Sequence, residues 1–444
     1  MSRAIGLGWM AAALWCLAAA PAQAAETGEQ RARRFIDLVR QERFEEAHGW
    51  FDRAMSEALS ADRLAQAWAS VLEQTGPLER QGEARRAVIG GQEVYSIICD
   101  MERGGIEARV SFDRRGRVSG LYFLPLATAP PEPDPPATIR EREITIGLEG
   151  WELPGTLTLP EGDGPWPGVV LVHGSGALDR DSAVGPNKPF RDLAWGLAER
   201  GAAVLRYDKR TLVHVDRMTR LQDLTVDHEV VDDALAALAA LRRVEGVDPE
   251  RVWLAGHSLG GLLAPRVAER DGRVAGLILL AAAARLPHEM IVAQMEYVFG
   301  DDPGPEQQAQ LDWARRQAEA IERLVRTGKD DGAHDRLLGA PASYWIDLRG
   351  YDGPAAVAAL GLPVVLIHGG RDYQVTEEDL ALWRAALGGR PGVRIHELSS
   401  LNHLLIAGEG PSTPAEYNTP GRVAGEVIEK ICARITKTPP PAAD

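Results

Sequence analysis

Cysteine is nearly absent from this chain of 444 residues. The three present, Cys16, Cys99 and Cys432, are far apart, and none has the short spacing of a zinc or redox pair. The ten histidines are scattered without an HExxH pair, so the helix-borne metal site of a metallohydrolase is not encoded and no metal is expected. Positive charge is also in deficit. Lys and Arg number 49 against 64 Asp and Glu, giving a net charge of -15 and a pI near 5.3. Such a surface repels phosphate backbones and anionic lipid, which argues against nucleic acid and membrane surfaces as partners. No internal repeat is evident.

What remains is a globular composition, 45% hydrophobic and 25% charged, long enough for two domains. The first residues stand apart. Arg3 supplies a positive start, Ile5 to Ala20 is apolar, and Ala22-Gln23-Ala24 is a small-residue cleavage signal. Residues 1–24 are therefore expected to be a signal peptide, with the mature protein periplasmic or secreted and without stable membrane insertion. An uncleaved anchor is the alternative. Bulky Trp15 before Cys16 disfavours a lipoprotein signal. Cys99 and Cys432 fall in different expected domains and read as two independent buried thiols, although sequence alone does not decide a pairing.

Proline divides the rest. The stretch 127–137 contains Pro130-Pro131-Glu132-Pro133-Asp134-Pro135-Pro136 and reads as an extended linker. Residues 438–444 read as a disordered tail. Ahead of the linker, 26–126 form a small α+β unit. Helical periodicity runs from Thr27 to Glu79, with stripes at Phe35, Leu38, Val39 and at Leu64, Ala67, Trp68, Val71, Leu72. The period then changes to two over Val94 to Ile98, Ile106 to Phe112 and Val118 to Phe123, with turns at Gly104-Gly105 and 113–116. Packing, dimerisation into a homo-oligomer and ligand capture are all open roles for it.

After the linker, residues 138–437 alternate strand and helix, the pattern of a mostly parallel α/β sheet covered on both faces. A hairpin is expected at Glu143 to Leu148 and Leu153 to Leu159. Buried strands follow at Gly168 to Val172, Ala202 to Tyr207, Arg251 to Ala255, Val274 to Leu280, Val364 to Ile367 and Val393 to Leu398. Helices are expected at Leu193 to Arg200, Asp227 to Val244 and Arg422 to Ile435. The interval 285–360 breaks the alternation and is expected to be a helical cap.

One motif carries chemistry. Gly256-His257-Ser258-Leu259-Gly260 is G-x-S-x-G between an apolar strand and an apolar helical run, the context in which a sharp turn projects a serine hydroxyl above a sheet. Serine needs a base, and in this architecture the acid and then the histidine follow it along the chain. Asp372 ends the strand-turn Val364 to Asp372. His403 lies in the loop after the last strand. Asp372 would orient His403, whose Nε2 would take the Ser258 proton. His396 sits within a strand, His368 at a strand end and His257 beside the nucleophile, and each is the weaker candidate base. The oxyanion donors would be the backbone N–H of Leu259 and, from the loop His173-Gly174-Ser175-Gly176, that of Ser175, with Gly176 next. His173 reads as a brace for that loop.

With His173-Gly-Ser-Gly, Asp179-Arg180-Asp181, Gly185-Pro186-Asn187-Lys188-Pro189-Phe190 and Arg206-Tyr207-Asp208-Lys209-Arg210, the chain from Glu143 to Ile435 resembles bacterial α/β-hydrolase serine esterases related to the serine aminopeptidase (S33-like) branch. The N-terminal unit is similar to the cone-like small domain of unknown function that often precedes them. The resemblance implies the α/β-hydrolase fold, a Ser258-Asp372-His403 triad, small-molecule esters of short to medium acyl chains as substrates, and no metal or organic cofactor. The charged Asp-Arg-Asp and Arg-Tyr-Asp-Lys-Arg clusters read as ion pairs holding loops. Peptide or amide hydrolysis uses the same triad and is the nearest alternative. Acyl transfer to another alcohol and a non-enzymatic binding role are the others. Dehalogenase chemistry is disfavoured by serine at the elbow.

Overall fold

In a computed structural model, which describes residues 26–89, 92–113, 115–126, 133–330, 332–333 and 336–436, the chain builds two units on two sheets, with one hydrophobic core in the first and one on each face of the sheet in the second. The expected leader, the first part of the proline linker and the tail lie outside those residues.

The N-terminal unit begins at a capping box, where Thr27 and Gln30 bond each other's backbone N–H and start the Gly28–Arg40 helix. That helix buries Phe35, Ile36, Leu38 and Val39, and the Ala61–Thr75 helix buries Leu64 and Trp68. Ala67, expected in the second stripe, faces solvent. Both helices cover an antiparallel sheet in the order β1 (Leu78–Ile89), β2 (Gln92–Met101), β3 (Gly104–Phe112), β4 (Val118–Leu126). Strand β1 corrects the sequence reading, which ended helical structure at Glu79 and placed no strand before Val94. Its charges, Glu79, Arg80, Glu83, Arg85 and Arg86, hide the alternation. So does the register shift between Gln81 and Ala84. As an edge strand it gains from those charges, which discourage pairing with another chain.

The second sheet has eight described strands: β5 (Ile139–Ile146), β6 (Leu153–Pro160), β7 (Trp166–Val172), β8 (Ala203–Tyr207), β9 (Val247–His257), β10 (Leu277–Leu280), β11 (Val364–Gly369) and β12 (Val393–Leu398). Their order is β12-β11-β10-β9-β7-β8-β6-β5, with β5 and β6 antiparallel to their neighbours and the rest parallel. Period two splits each central strand between two cores. Val170, Val172, Leu254, Leu277, Leu279, Val364 and Leu366 face the Asp232–Leu241, Leu259–Asp271 and Glu377–Leu387 helices. Val169, Leu171, Trp253, Ile278, Leu280, Val365 and Ile367 face the Pro189–Ala198 and Gly425–Ile435 helices. Burial on both faces is why these strands read as continuous apolar runs.

The 285–360 interval is helical but divides. The Pro287–Phe299, Pro305–Thr327 and Ala342–Asp347 helices form the insertion. The Gly353–Leu360 helix instead packs on the Leu259–Asp271 helix, and the Tyr351 hydroxyl just before it donates to the Leu262 carbonyl at 2.7 Å. The insertion therefore ends near Gly350, ten residues earlier than the sequence reading placed it. The two units touch where Arg86 of β1 pairs with Asp216 in the second unit.

Candidate active site

Strand β9 ends at His257, and Ser258 is the N-cap of the Leu259–Asp271 helix with φ 54° and ψ -118°. A non-glycine residue there costs on the order of 1–3 kcal/mol. The surroundings enforce the turn: the Ser258 N–H donates to the Leu280 carbonyl at 3.0 Å and its own carbonyl accepts from Gly261 and Leu262. A β-carbon on Gly260 would lie 2.5 Å from the Val172 and His173 carbonyls. Only glycine lets the helix start that close to β7. Ser258 remains partly exposed between buried neighbours.

The parallel register sets the other groups at the same sheet edge. Leu280 of β10 stands beside His257 and Ile367, and Gly369 of β11 beside Leu398. Asp372 is buried in the turn after β11. One of its oxygens accepts from the N–H groups of Gln374 and Val375 at 2.8 and 2.9 Å. The other is 2.7 Å from His403 Nδ1. A carboxylate accepts, so Nδ1 carries the proton and Nε2 keeps a lone pair. The His403 loop is held by Asn402, whose side-chain oxygen accepts from Leu404 and Ile406. It is also held by His257, whose Nε2–H donates to the His403 carbonyl at 2.9 Å. The two imidazoles are 4.6 Å apart, which brings His403 to the residue preceding Ser258.

The other histidines stand elsewhere. His368 is buried in β11, and His396 on β12 has Lys430 and Glu426 of the last helix as its electrostatic neighbours. His173 donates through Nε2–H to the Asp179 carbonyl at 2.9 Å and packs on Phe190 and Tyr207. Burial, with the Lys209 charge behind it, pushes His173 down to about 3. Burial, with His403 behind it, pushes His257 down to about 4. Both are therefore neutral in the fold. In the unfolded chain they protonate near pH 6.5, so stability is lost as pH falls from about 6.5 toward 4, by roughly 1.4 kcal/mol per pH unit for each ring. Urea midpoints at pH 7, 6 and 5 should show a shallower acid decline for His257→Gln than for the wild type. Parallel declines would contradict this origin.

The loop 173–179 passes Ser258. A β-carbon on Gly174 would lie 3.0 Å from the Ser258 β-carbon. Ser175 and Gly176 are exposed there, and Leu259 opens the helix whose first N–H groups have no intrahelical acceptor. The charged clusters hold this edge. Arg180 forks onto Asp208 at 3.0 and 3.1 Å, and Arg206 spans Asp181 and Glu141, each at 2.8 Å. Buried Arg210 pairs with Asp233. Sequence reasoning passed over two features: the His257 tie to the His403 carbonyl, and the insertion's grip on the acid loop. There Tyr297 stacks on Tyr373 at 4.9 Å and Gln294 donates to the Gln374 carbonyl at 2.8 Å. Neither pairing has a local sequence signal, because each spans tens of residues.

A cleft of about 590 Å³ opens between Arg285, Glu289, Tyr351 and the Glu377–Leu387 helix. Ser258, Asp372 and His403 do not line it. No helix of the described residues is long and apolar enough to cross a membrane.

Esterase EstD of Thermotoga maritima is 38% identical over 414 residues, covering 92% of this chain and 95% of that protein. Esterase FrsA of Escherichia coli is 32% identical over 133 residues, 30% of this chain and 29% of that protein. Among solved structures, Est1E from Butyrivibrio proteoclasticus covers 66% of this chain and 99% of its own, at 17% identity and a TM-score of 0.42. Residues 32–121 match a family described as a protein of unknown function (DUF3887). Residues 169–418 match the family described as the alpha/beta hydrolase family, and with that match and the near full-length likeness to EstD, this chain belongs to the alpha/beta hydrolase family.

Proposed function

We propose that this protein is a carboxylesterase-type serine hydrolase, with Ser258 as nucleophile, His403 as general base and Asp372 as the group that orients it. The observation that carries the reading is the Asp372–His403 hydrogen bond of 2.7 Å, tied through His257 to the strand-helix turn that presents Ser258. The likeness to EstD supports ester substrates.

In this mechanism the Ser258 hydroxyl attacks an ester carbonyl as His403 Nε2 takes its proton. Asp372 keeps the proton of His403 on Nδ1 and stabilises the imidazolium without being protonated. The tetrahedral oxyanion accepts from the N–H groups of Leu259 and Ser175, with Gly176 as a further donor, and the helix N-terminus favours the same charge. His403 then protonates the departing alcohol. Water, activated by the same imidazole, releases the acid from the acyl-serine and restores the hydroxyl.

Short to medium acyl chains are part of the proposal, and the resemblance to bacterial serine esterases is what supports them. Nitrophenyl esters of two to twelve carbons should give their highest kcat/KM in the lower half of that range, and aminoacyl anilides should turn over more slowly than any of them. Preference for an anilide would replace this reading with that of an amidase. Export is proposed as well, on the leader-like first 24 residues, and N-terminal sequencing of the secreted protein tests it.

A further inference from the structure

Lys209 is buried, 2% exposed, directly after the strand-end sequence Arg206-Tyr207-Asp208. Its ammonium donates to the Gly174 carbonyl at 2.7 Å and to Glu229 at 2.5 Å. The other Glu229 oxygen accepts from the Tyr344 hydroxyl at 2.7 Å, and Tyr344 belongs to the insertion. Burial, together with the Glu229 charge, holds the Tyr344 phenol well above its usual range, so it stays a donor. The same short segment grips the loop twice more. Lys209 N–H donates to the Leu178 carbonyl at 3.0 Å and Thr211 to the Gly176 carbonyl at 2.9 Å. Alternate carbonyls of the loop, those of Gly174, Gly176 and Leu178, are thus all held by residues 209 and 211.

A trans peptide points its C=O and N–H in opposite directions. Fixing the Gly174 carbonyl on Lys209 therefore directs the Ser175 N–H away from Lys209, and the Gly174 Cα borders Ser258. The Gly176 N–H belongs to the peptide of the Ser175 carbonyl, which residues 209 and 211 do not hold. We propose that Lys209, held by Glu229 and Tyr344, is a positioning residue that sets the Ser175 N–H as the oxyanion donor, and that seating of the insertion reaches the oxyanion hole through Tyr344. The inference rests on the esterase reading above. The relay lies outside the Asp372–His403 pair, so it adjusts oxyanion stabilisation separately from proton transfer.

Lys209→Met alone would leave Glu229 as a buried carboxylate without its cation. The test is therefore the double variant Lys209→Met/Glu229→Gln, with Tyr344→Phe as a milder single change, each checked for a cooperative melt. With nitrophenyl acetate, kcat of the double variant should fall on the order of a hundredfold to a thousandfold, the loss typical of one oxyanion donor, with KM little changed. Affinity for a trifluoromethyl ketone, whose adduct with serine carries the oxyanion, should fall in parallel, while affinity for the product carboxylate should hold. Tyr344→Phe should lose about tenfold in kcat, the low end for one hydrogen bond to a charged group, and it carries the test if the double variant does not fold. Folded variants with wild-type kcat and wild-type ketone affinity would overturn the relay. A wild type that hydrolyses no ester, or whose fluorophosphonate adduct is not on Ser258, would instead overturn the esterase reading beneath it.

Discussion

Ser258→Ala should yield a folded protein whose ester turnover is lower by about a millionfold, the loss typical of a missing triad serine. The fold should tolerate the change. The Ser258 side chain makes no capping hydrogen bond to its helix, so removing the hydroxyl leaves no backbone group newly unpaired. The positive φ is imposed by the Leu280, Gly261 and Leu262 backbone bonds, which alanine keeps. Melting temperature should move little while initial rates on nitrophenyl acetate vanish. A fluorophosphonate should add its mass to the wild type alone. Residual activity above a few per cent, after contamination is excluded, would mean that another group attacks the substrate.

His403→Ala should be nearly as severe, again on the order of a millionfold, because no neighbouring base can replace it. His257 is closest, but its Nε2–H is committed to the backbone of residue 403. His368 is buried within β11 and His396 stands on β12 beside Lys430 and Glu426, so their alanine variants should keep most of the activity. Asp372→Asn should lose about ten-thousandfold. Its remaining oxygen can still accept from Gln374 and Val375, but an amide beside Nδ1 favours the wrong tautomer. Because His173 and His257 are already neutral well below pH 6, wild-type activity should rise with pH through one ionisation, as expected when a neutral imidazole must accept the proton. Two ionisations on the acid limb, or a His396 variant weaker than the His403 one, would remove this assignment.

Much of the site was legible in the sequence because its parts are local. G-x-S-x-G between two apolar runs describes the β9 turn, and the strand-glycine-aspartate run describes Asp372. The parallel strands were legible for the same reason: Val169 to Val172 and Val364 to Ile367 are buried on both faces. Where side chains answer to distant partners, the pattern fails. Strand β1 is charged along its length because it is an edge. The Gly353–Leu360 helix reads like the rest of the insertion, yet it packs on the Leu259–Asp271 helix, and Tyr351 just before it donates to the Leu262 carbonyl. Lys209 read as one charge among four in Arg206 to Arg210. Only the fold separates its partner Glu229 from those of Arg206 and Arg210, which are Asp181 with Glu141, and Asp233.

The two cysteines of the described residues sit one in each unit, Cys99 in the core of the N-terminal unit and Cys432 in the closing helix of the second. Burial pushes each thiol up to about 11, so neither offers thiolate to an alkylating reagent while its core is shut. Each becomes reactive only when its own unit opens. The chain thus carries a separate chemical clock for each half. Timed alkylation followed by peptide mapping would read how often each half breathes, without any label being engineered into the protein.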